Sequence, residues 1–390
     1  MITPEQIEDW IKEVEERPSS APLIVRFIAN RLRDLSSRNE ELLNENIALS
    51  TGSKVEEYEQ RIANLEYQLE LLRRQLGGEL PTGTVVSKAE TLSLVIFNTL
   101  GQVLRTEFEI EGLETGSLTA QLKDACGEDG LPPRLLVTSP HEELLFVFDT
   151  GRTVTRAVSQ IPAVESSKLD WHQAALVEPQ SGEELAALLP VGKMALFDLC
   201  TQASRRGCIK RMMRSAFEKH IARNYIGTGI KAKPDATCSL WLCNKDDRFV
   251  MASREGFLLT LDVNDMPYNV EEAIRLSPTD HIVTSFTLNQ KPSILILTQN
   301  GKAIHRDAGW LEPALSFTSR GQPVFSASRR AAGVRVAGAA AVGEDDWGTA
   351  LFRDGTLRTY HLNDLLAAGS VGSKDQDPEI LAFTAFELTR

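Results

Sequence analysis

One short pattern occurs six times along this chain: an apolar run of β-forming residues, a turn ending in glycine, and a second such run. The copies read LSLVIFNTLGQVLRTEF, LLFVFDTGRTVTRAV, MALFDLCTQASRRGCIKR, RFVMASREGFLLTL, ILILTQNGKAIHR and GTALFRDGTLRTYHL, turning at Gly101, Gly151, Gly207, Gly256, Gly301 and Gly355. Successive glycines stand 50, 56, 49, 45 and 54 residues apart. Such a period holds about four strands with their turns, the content of one propeller blade. The expected fold is mainly β, a closed ring of six blades. The competing arrangement is a sandwich of unrelated hairpins, but sandwich strands recur every ~8–12 residues without a longer superperiod.

Each glycine also has a local reason. A tight hairpin turn needs positive φ, which glycine adopts without steric cost, and Asn300-Gly301 and Asp354-Gly355 are strong hairpin signals. The flanking runs alternate or are wholly apolar, as half-buried or fully buried strands require.

The first 77 residues follow another rule. Thr3-Pro4-Glu5-Gln6 forms a capping sequence, so an N-terminal helix is expected within residues 1–20, stopping before Pro18. A second helix is expected near Pro22. Within residues 21–77, core-type positions fall at Leu32, Leu35, Asn39, Leu42, Asn46 and Leu49, slip in phase at Thr51-Gly52-Ser53, and resume at Val55, Tyr58, Ile62, Leu65, Leu69, Leu72 and Leu76. The alternating three- and four-residue spacing of the second set is a coiled-coil seam. Asn39 and Asn46 at successive a positions select register and favour a parallel homodimer. An antiparallel hairpin within one chain, folded at Thr51-Gly52-Ser53, is the alternative. Residues 78–84 then read as a linker and residues 85–390 as the ring.

At 390 residues and 42% hydrophobic the chain can bury more than one core. No run approaches the ~18 apolar residues of a membrane span, and MITPEQIEDW lacks the basic and apolar regions of a signal peptide, so a cytoplasmic, nucleoid-associated location is expected. Cys126, Cys200, Cys208, Cys238 and Cys243 are an odd number in a large chain and do not read as a disulfide framework. Cys238 and Cys243 have a spacing that could suit zinc, but no C-x-x-C or histidine pair accompanies them, so neither a metal nor another cofactor is expected.

No enzymatic constellation stands out. His141, His172, His220, His281, His305 and His361 are dispersed, and G-x-S-x-G, H-E-x-x-H and phosphate-loop patterns are absent. The acid pairs Glu142-Glu143, Asp246-Asp247 and Asp345-Asp346 read as solvated turn charge. Charge distribution says more than these. The net charge is −12, yet residues 192–235 carry ten Lys and Arg against three Asp and Glu, and Arg320, Arg329, Arg330 and Arg335 fall in sixteen residues without an acid. Residues 79–191, in contrast, carry seven against seventeen. Positive charge concentrated on one strip is the footprint of a polyphosphate partner.

At these basic segments the chain resembles the C-terminal domain of the gyrase A protein and of its topoisomerase IV relative. The resemblance rests on Arg206-Gly207-Cys208-Ile209-Lys210-Arg211, Phe217-Glu218 and Gly229-Ile230-Lys231-Ala232, on LILTQNGKAIHR with Ser328-Arg329-Arg330-Ala331-Ala332-Gly333-Val334-Arg335, and on Leu276 to Val283. It spans about residues 85–390 and is clearest in the third to sixth repeats. It implies a β-pinwheel, a propeller-like ring whose blades exchange strands and whose basic rim binds and bends duplex DNA. The residues implied as phosphate contacts are Arg205, Arg206, Lys210, Arg211, Arg214, Arg223, Lys231, Lys302, Arg306, Arg329, Arg330 and Arg335.

There are departures from the family. Its glutamine-arginine-arginine-glycine-glycine-lysine-glycine box survives only as scattered elements in Arg223 to Gly229, and the acidic first two blades would repel DNA. No tyrosine stands in the arginine-tyrosine-threonine context of the strand-cleaving nucleophile. The sequence therefore points to a non-catalytic DNA-binding protein that contacts phosphates over part of the ring and is dimerised by the coiled coil. The alternative is a scaffold that binds a protein, such as a topoisomerase or nucleoid component.

Overall fold

The computed structural model describes residues 11–18, 21–22, 24–26, 28–30, 91–127, 130–177, 179–180, 182–226, 237–314, 317–371 and 379–388. The chain divides into two units, Met1–Val86 and Ser87–Arg390. In the first unit residues 11–16 are helical, and the Arg17 N–H donates to the Glu13 carbonyl at 2.8 Å just before Pro18. The described residues between 21 and 30 are helical again. The seam residues Asn39, Asn46 and Val55 to Leu76 lie outside the described residues. Among the described residues no helix is long and apolar enough to cross a membrane.

Among the described residues the second unit forms six sheets, each built on one glycine hairpin. The hairpins are Thr91–Phe97 with Gln102–Glu109, Glu143–Phe148 with Thr153–Ala157, Leu199–Ser204 with Cys208–Met213, Arg248–Ser253 with Phe257–Asp262, Ser293–Thr298 with Ala303–Asp307, and Asp346–Phe352 with Thr356–His361. They define blades one to six. A later strand of the same repeat pairs antiparallel with the free edge of the first hairpin strand: Arg134–Thr138, Leu185–Pro190, Thr237–Cys243, Ile282–Thr287, Val336–Val342 and Ile380–Glu387. These later strands touch their counterparts in neighbouring blades, so they are the innermost strands and surround the axis.

The opposite, outer edge of each blade is completed by the next repeat. Ala175–Leu176 pairs with blade one, Glu271–Glu272 with blade three and Gln322–Pro323 with blade four. Single bridges, Arg152 to Tyr225 and Lys302 to Ser370, do the same on blades two and five. The outer edge of blade six takes Ser117–Lys123 from the first repeat. This pairing closes the ring, so the expected exchange of strands is present.

The packing obeys the same cycle. Six apolar clusters each combine residues of two adjacent blades, including Leu94 and Ile96 of blade one with Leu351 and Leu357 of blade six. Burial of apolar area contributes about 25 cal/mol per Å², so these interfaces are the main stabilising term of the ring.

The repeat glycines sit where one blade hands over to the next. Their φ angles lie between 77° and 91°, as a tight turn demands. Each glycine carbonyl accepts a backbone N–H from the exchanged segment: Val177 to Gly101, Ile226 to Gly151, Ala273 to Gly207, Val324 to Gly256, Val371 to Gly301 and Leu122 to Gly355, all at 2.8–2.9 Å. Thus each glycine both turns its own hairpin and anchors the chain arriving from the neighbouring repeat.

Two of the acid pairs read as solvated are half inside. Asp346 is 5% exposed, pairs with the Lys291 ammonium at 2.8 Å and accepts the Gly343 N–H. Asp247, 9% exposed, accepts the Asn244 N–H at 2.7 Å. Both close turns between strands, which gives a carboxylate backbone donors and removes the need for bulk water.

Candidate nucleic-acid interface

Strand exchange decides which cations meet solvent. Lys210 lies mid-strand at 8% exposure, and burial lowers its ammonium below the ordinary lysine range. Arg211 donates to the Val263 carbonyl at 2.9 Å and stacks 4.4 Å from the Tyr268 ring centroid, both groups coming from the next blade. Arg206 donates to the carbonyls of Ser277, Pro278 and Asp280 and so fixes the loop entering blade four's innermost strand. Arg306 donates to the His305 and Val324 carbonyls, and Arg335 to those of Arg330 and Val334. Arg330 donates to Phe325 and lies 4.8 Å from the Phe257 ring. Arg214 pairs with Glu218 at 3.7 Å on the helix Arg214–Ala222. Lys231 lies outside the described residues.

The remaining predicted cations, Arg205, Arg223, Lys302 and Arg329, are exposed. Exposed arginines that were not predicted contacts join them: Arg254, Arg275 and Arg320. None of these seven forms a salt bridge among the described residues.

All seven gather near the glycine turns of blades two to five. Arg205 and Arg254 are turn residues two positions before Gly207 and Gly256, and Lys302 follows Gly301. Arg223 precedes the Asn224 carbonyl that accepts the Thr153 N–H, beside Gly151. Arg275 lies two residues after Ala273, whose N–H binds the Gly207 carbonyl, and its own N–H donates to Ser319, next to Arg320. Arg320 lies 5.0 Å from the Phe257 ring. Arg329 rides the short helix Ala327–Ala331, capped by the Ser326 hydroxyl. The repeats held a signal for Arg254, since it occupies the same place before its glycine as Arg205.

The corresponding cations of other blades are engaged. Arg152 is held by Glu183 at 2.7 Å, and Arg353 by Glu379. The turn edge is thus cationic over blades three to five, whereas at blades two and six the turn arginines Arg152 and Arg353 are charge-paired and only Arg223 stays exposed beside Gly151. Exposed Glu271 and Glu272, on the rim of blade three, interrupt the basic strip.

Cys243 is buried, which pushes its thiol up to about 12, and it donates to the Leu199 carbonyl as a protonated group. Such a thiol is a core residue rather than a ready metal ligand.

Comparison with known proteins agrees with the geometry. No family model matches the chain. Over 182 residues, 45% of this chain, it is 24% identical to the DNA gyrase A protein of Lawsonia intracellularis, and the match spans 22% of that relative's length. Among solved structures, the DNA gyrase A C-terminal domain is similar with a TM-score of 0.56 and 16% identity, covering 76% of this chain and 99% of that one. The C-terminal domain of DNA topoisomerase IV is similar at 0.49 and 17% identity, covering 76% and 93%. The ring has the gyrase A C-terminal fold. The closed six-bladed ring expected from the glycine repeats is the one observed, with the strand exchange that the resemblance implied, and it closes through Ser117–Lys123.

Proposed function

We propose that this chain is a non-catalytic DNA-binding protein whose pinwheel grips duplex phosphates along the turn edge of blades three to five. The observation that supports the reading best is the set of exposed Arg205, Arg275, Lys302, Arg320 and Arg329, which lie on one edge without carboxylate partners among the described residues. Guanidinium forks match phosphate oxygens, and such contacts position DNA without reading sequence. The charge-paired turns of blades two and six leave the rest of the edge without this attraction, so contact covers a sector and not the full circumference.

The test is the salt dependence of full-chain binding to a random-sequence duplex, followed by fluorescence anisotropy. Affinity is expected to fall linearly in log–log form as phosphates release counterions. Absence of binding at low salt would overturn the reading. Glu271→Gln with Glu272→Gln is expected to tighten binding several-fold, because two like charges leave the path of the duplex; unchanged affinity would place DNA elsewhere. The reading includes dimerisation through the seam Val55 to Leu76, checked by sedimentation of the full chain at twice the monomer mass.

A further inference from the structure

The main chain forms a circuit where the hairpin turns approach the axis. In blades two, four, five and six the first turn residue donates its N–H to the residue before its own innermost strand: Asp149 to Glu184 at 3.0 Å, Arg254 to His281 at 2.9 Å, Gln299 to Arg335 at 2.9 Å and Arg353 to Glu379 at 2.7 Å. The same turn positions accept from the next blade: Leu185 to Thr99, Ile282 to Arg205, Val336 to Arg254 and Ile380 to Gln299, all at 2.8–2.9 Å. Because the innermost strands surround the axis, these residues ring its turn-face end.

The ring is polarised. On one side stand Asp149 and the Arg353–Glu379 pair. On the other, His281 is locked between Arg254, which donates to its carbonyl, and Arg205, whose carbonyl takes the N–H of Ile282. Arg206 holds the loop just before it. From the opposite blade comes Arg134, which begins the innermost strand of blade one and donates to the Ala186 carbonyl. The nearby carboxylates are occupied: Asp280, 2% exposed, accepts the N–H groups of Glu255 and His281, and Glu255 accepts the Ser277 and Thr279 hydroxyls.

We propose that this axial end, between blades three and four, binds a small phosphate-type dianion through Arg205, Arg254 and Arg134, with His281 beneath it. Arg205 is common to this site and to the rim reading, whose other arginines, Arg275, Arg320 and Arg329, flank or follow the exchanged strands toward the outer edge. The electrostatics agree with the geometry. Burial, then Arg205, Arg254, Arg206 and Arg134, push the His281 imidazole down to about 4. A place that repels a proton attracts an anion, and a bound dianion offsets the four guanidinium groups and lets His281 take up a proton. For a dianion that keeps both charges in acid, such as sulfate, affinity is therefore expected to rise as pH falls toward that midpoint of about 4.

The test uses the full chain and sulfate, which stays a dianion across this range, at constant ionic strength set with sodium chloride. The His281 ring is followed by NMR and assigned with His281→Gln. Saturable sulfate binding that raises the His281 titration midpoint by one unit or more is the expected result. Arg254→Ala and Arg134→Ala should each weaken it about tenfold, and Arg329→Ala should leave it unchanged. A midpoint that does not respond to sulfate beyond the chloride control overturns the proposal, as does an undiminished response in folded Arg254→Ala. Since the readout needs no nucleic acid, its failure is distinguishable from failure of DNA binding.

Discussion

Gly355→Ala is expected to destabilise the ring more than the same change at Gly101, Gly207, Gly256 or Gly301. A β-carbon at Gly355 would lie 1.8 Å from the Leu122 carbonyl oxygen, backbone to backbone, with φ at +85°. Leu122 belongs to Ser117–Lys123, the strand that closes the circle, and its N–H binds the Gly355 carbonyl at 2.8 Å. The substitution must therefore displace the closing strand itself. Left-handed backbone costs an L-residue about 1–2 kcal/mol, and displacing a packed strand brings the loss to roughly 3–5 kcal/mol. Gly112→Ala is the control, with φ at +82° but nothing within 4 Å of the added atom. It should lose only about 1 kcal/mol. Urea unfolding of both variants measures the difference, and equal losses would show that the seam at Gly355 does not hold the ring shut.

The reason these glycines were legible in the sequence is that they answer two demands at once. Positive φ in a tight hairpin makes Asn300-Gly301 or Asp354-Gly355 readable locally, and repetition makes the blade readable globally. What the pattern could not show is the second use of each carbonyl. The exchanged strands Ala175–Leu176, Glu271–Glu272 and Gln322–Pro323 are two residues long, too short for any alternation to register. Their pairing partners lie a whole repeat away.

The basic sector was legible as composition but not as orientation. Lys210 and Arg211 are neighbours in one strand, so their side chains point to opposite faces. Which face meets solvent depends on what the next blade lays over them, and here Val263 and Tyr268 cover Arg211 while the strand core covers Lys210. Arg206, Arg306 and Arg335 likewise spend their guanidinium donors on carbonyls of adjacent loops. Arg275 went unnoticed because it stands beside acidic Glu271 and Glu272 in the sequence, and only the exchange sets it next to Arg320.

That sorting yields the largest expected effect on binding. Changing Arg275, Lys302, Arg320 and Arg329 together to alanine removes exposed charges without breaking a carbonyl or carboxylate contact that holds the fold. Each screened, charge-assisted phosphate contact contributes about 1 kcal/mol, so the quadruple variant should bind duplex DNA roughly 10²–10³-fold more weakly near 0.1 M salt. The slope of log affinity against log salt should shrink by about 3–4, since each lost contact removes nearly one released counterion. Lys210→Met is the informative counterpart. It removes a positive charge that the fold keeps from solvent, so slope and affinity should both stay at the wild-type value. A quadruple variant with an undiminished slope, or a Lys210→Met variant that loses one unit, would mean that the duplex meets the pinwheel on a different surface.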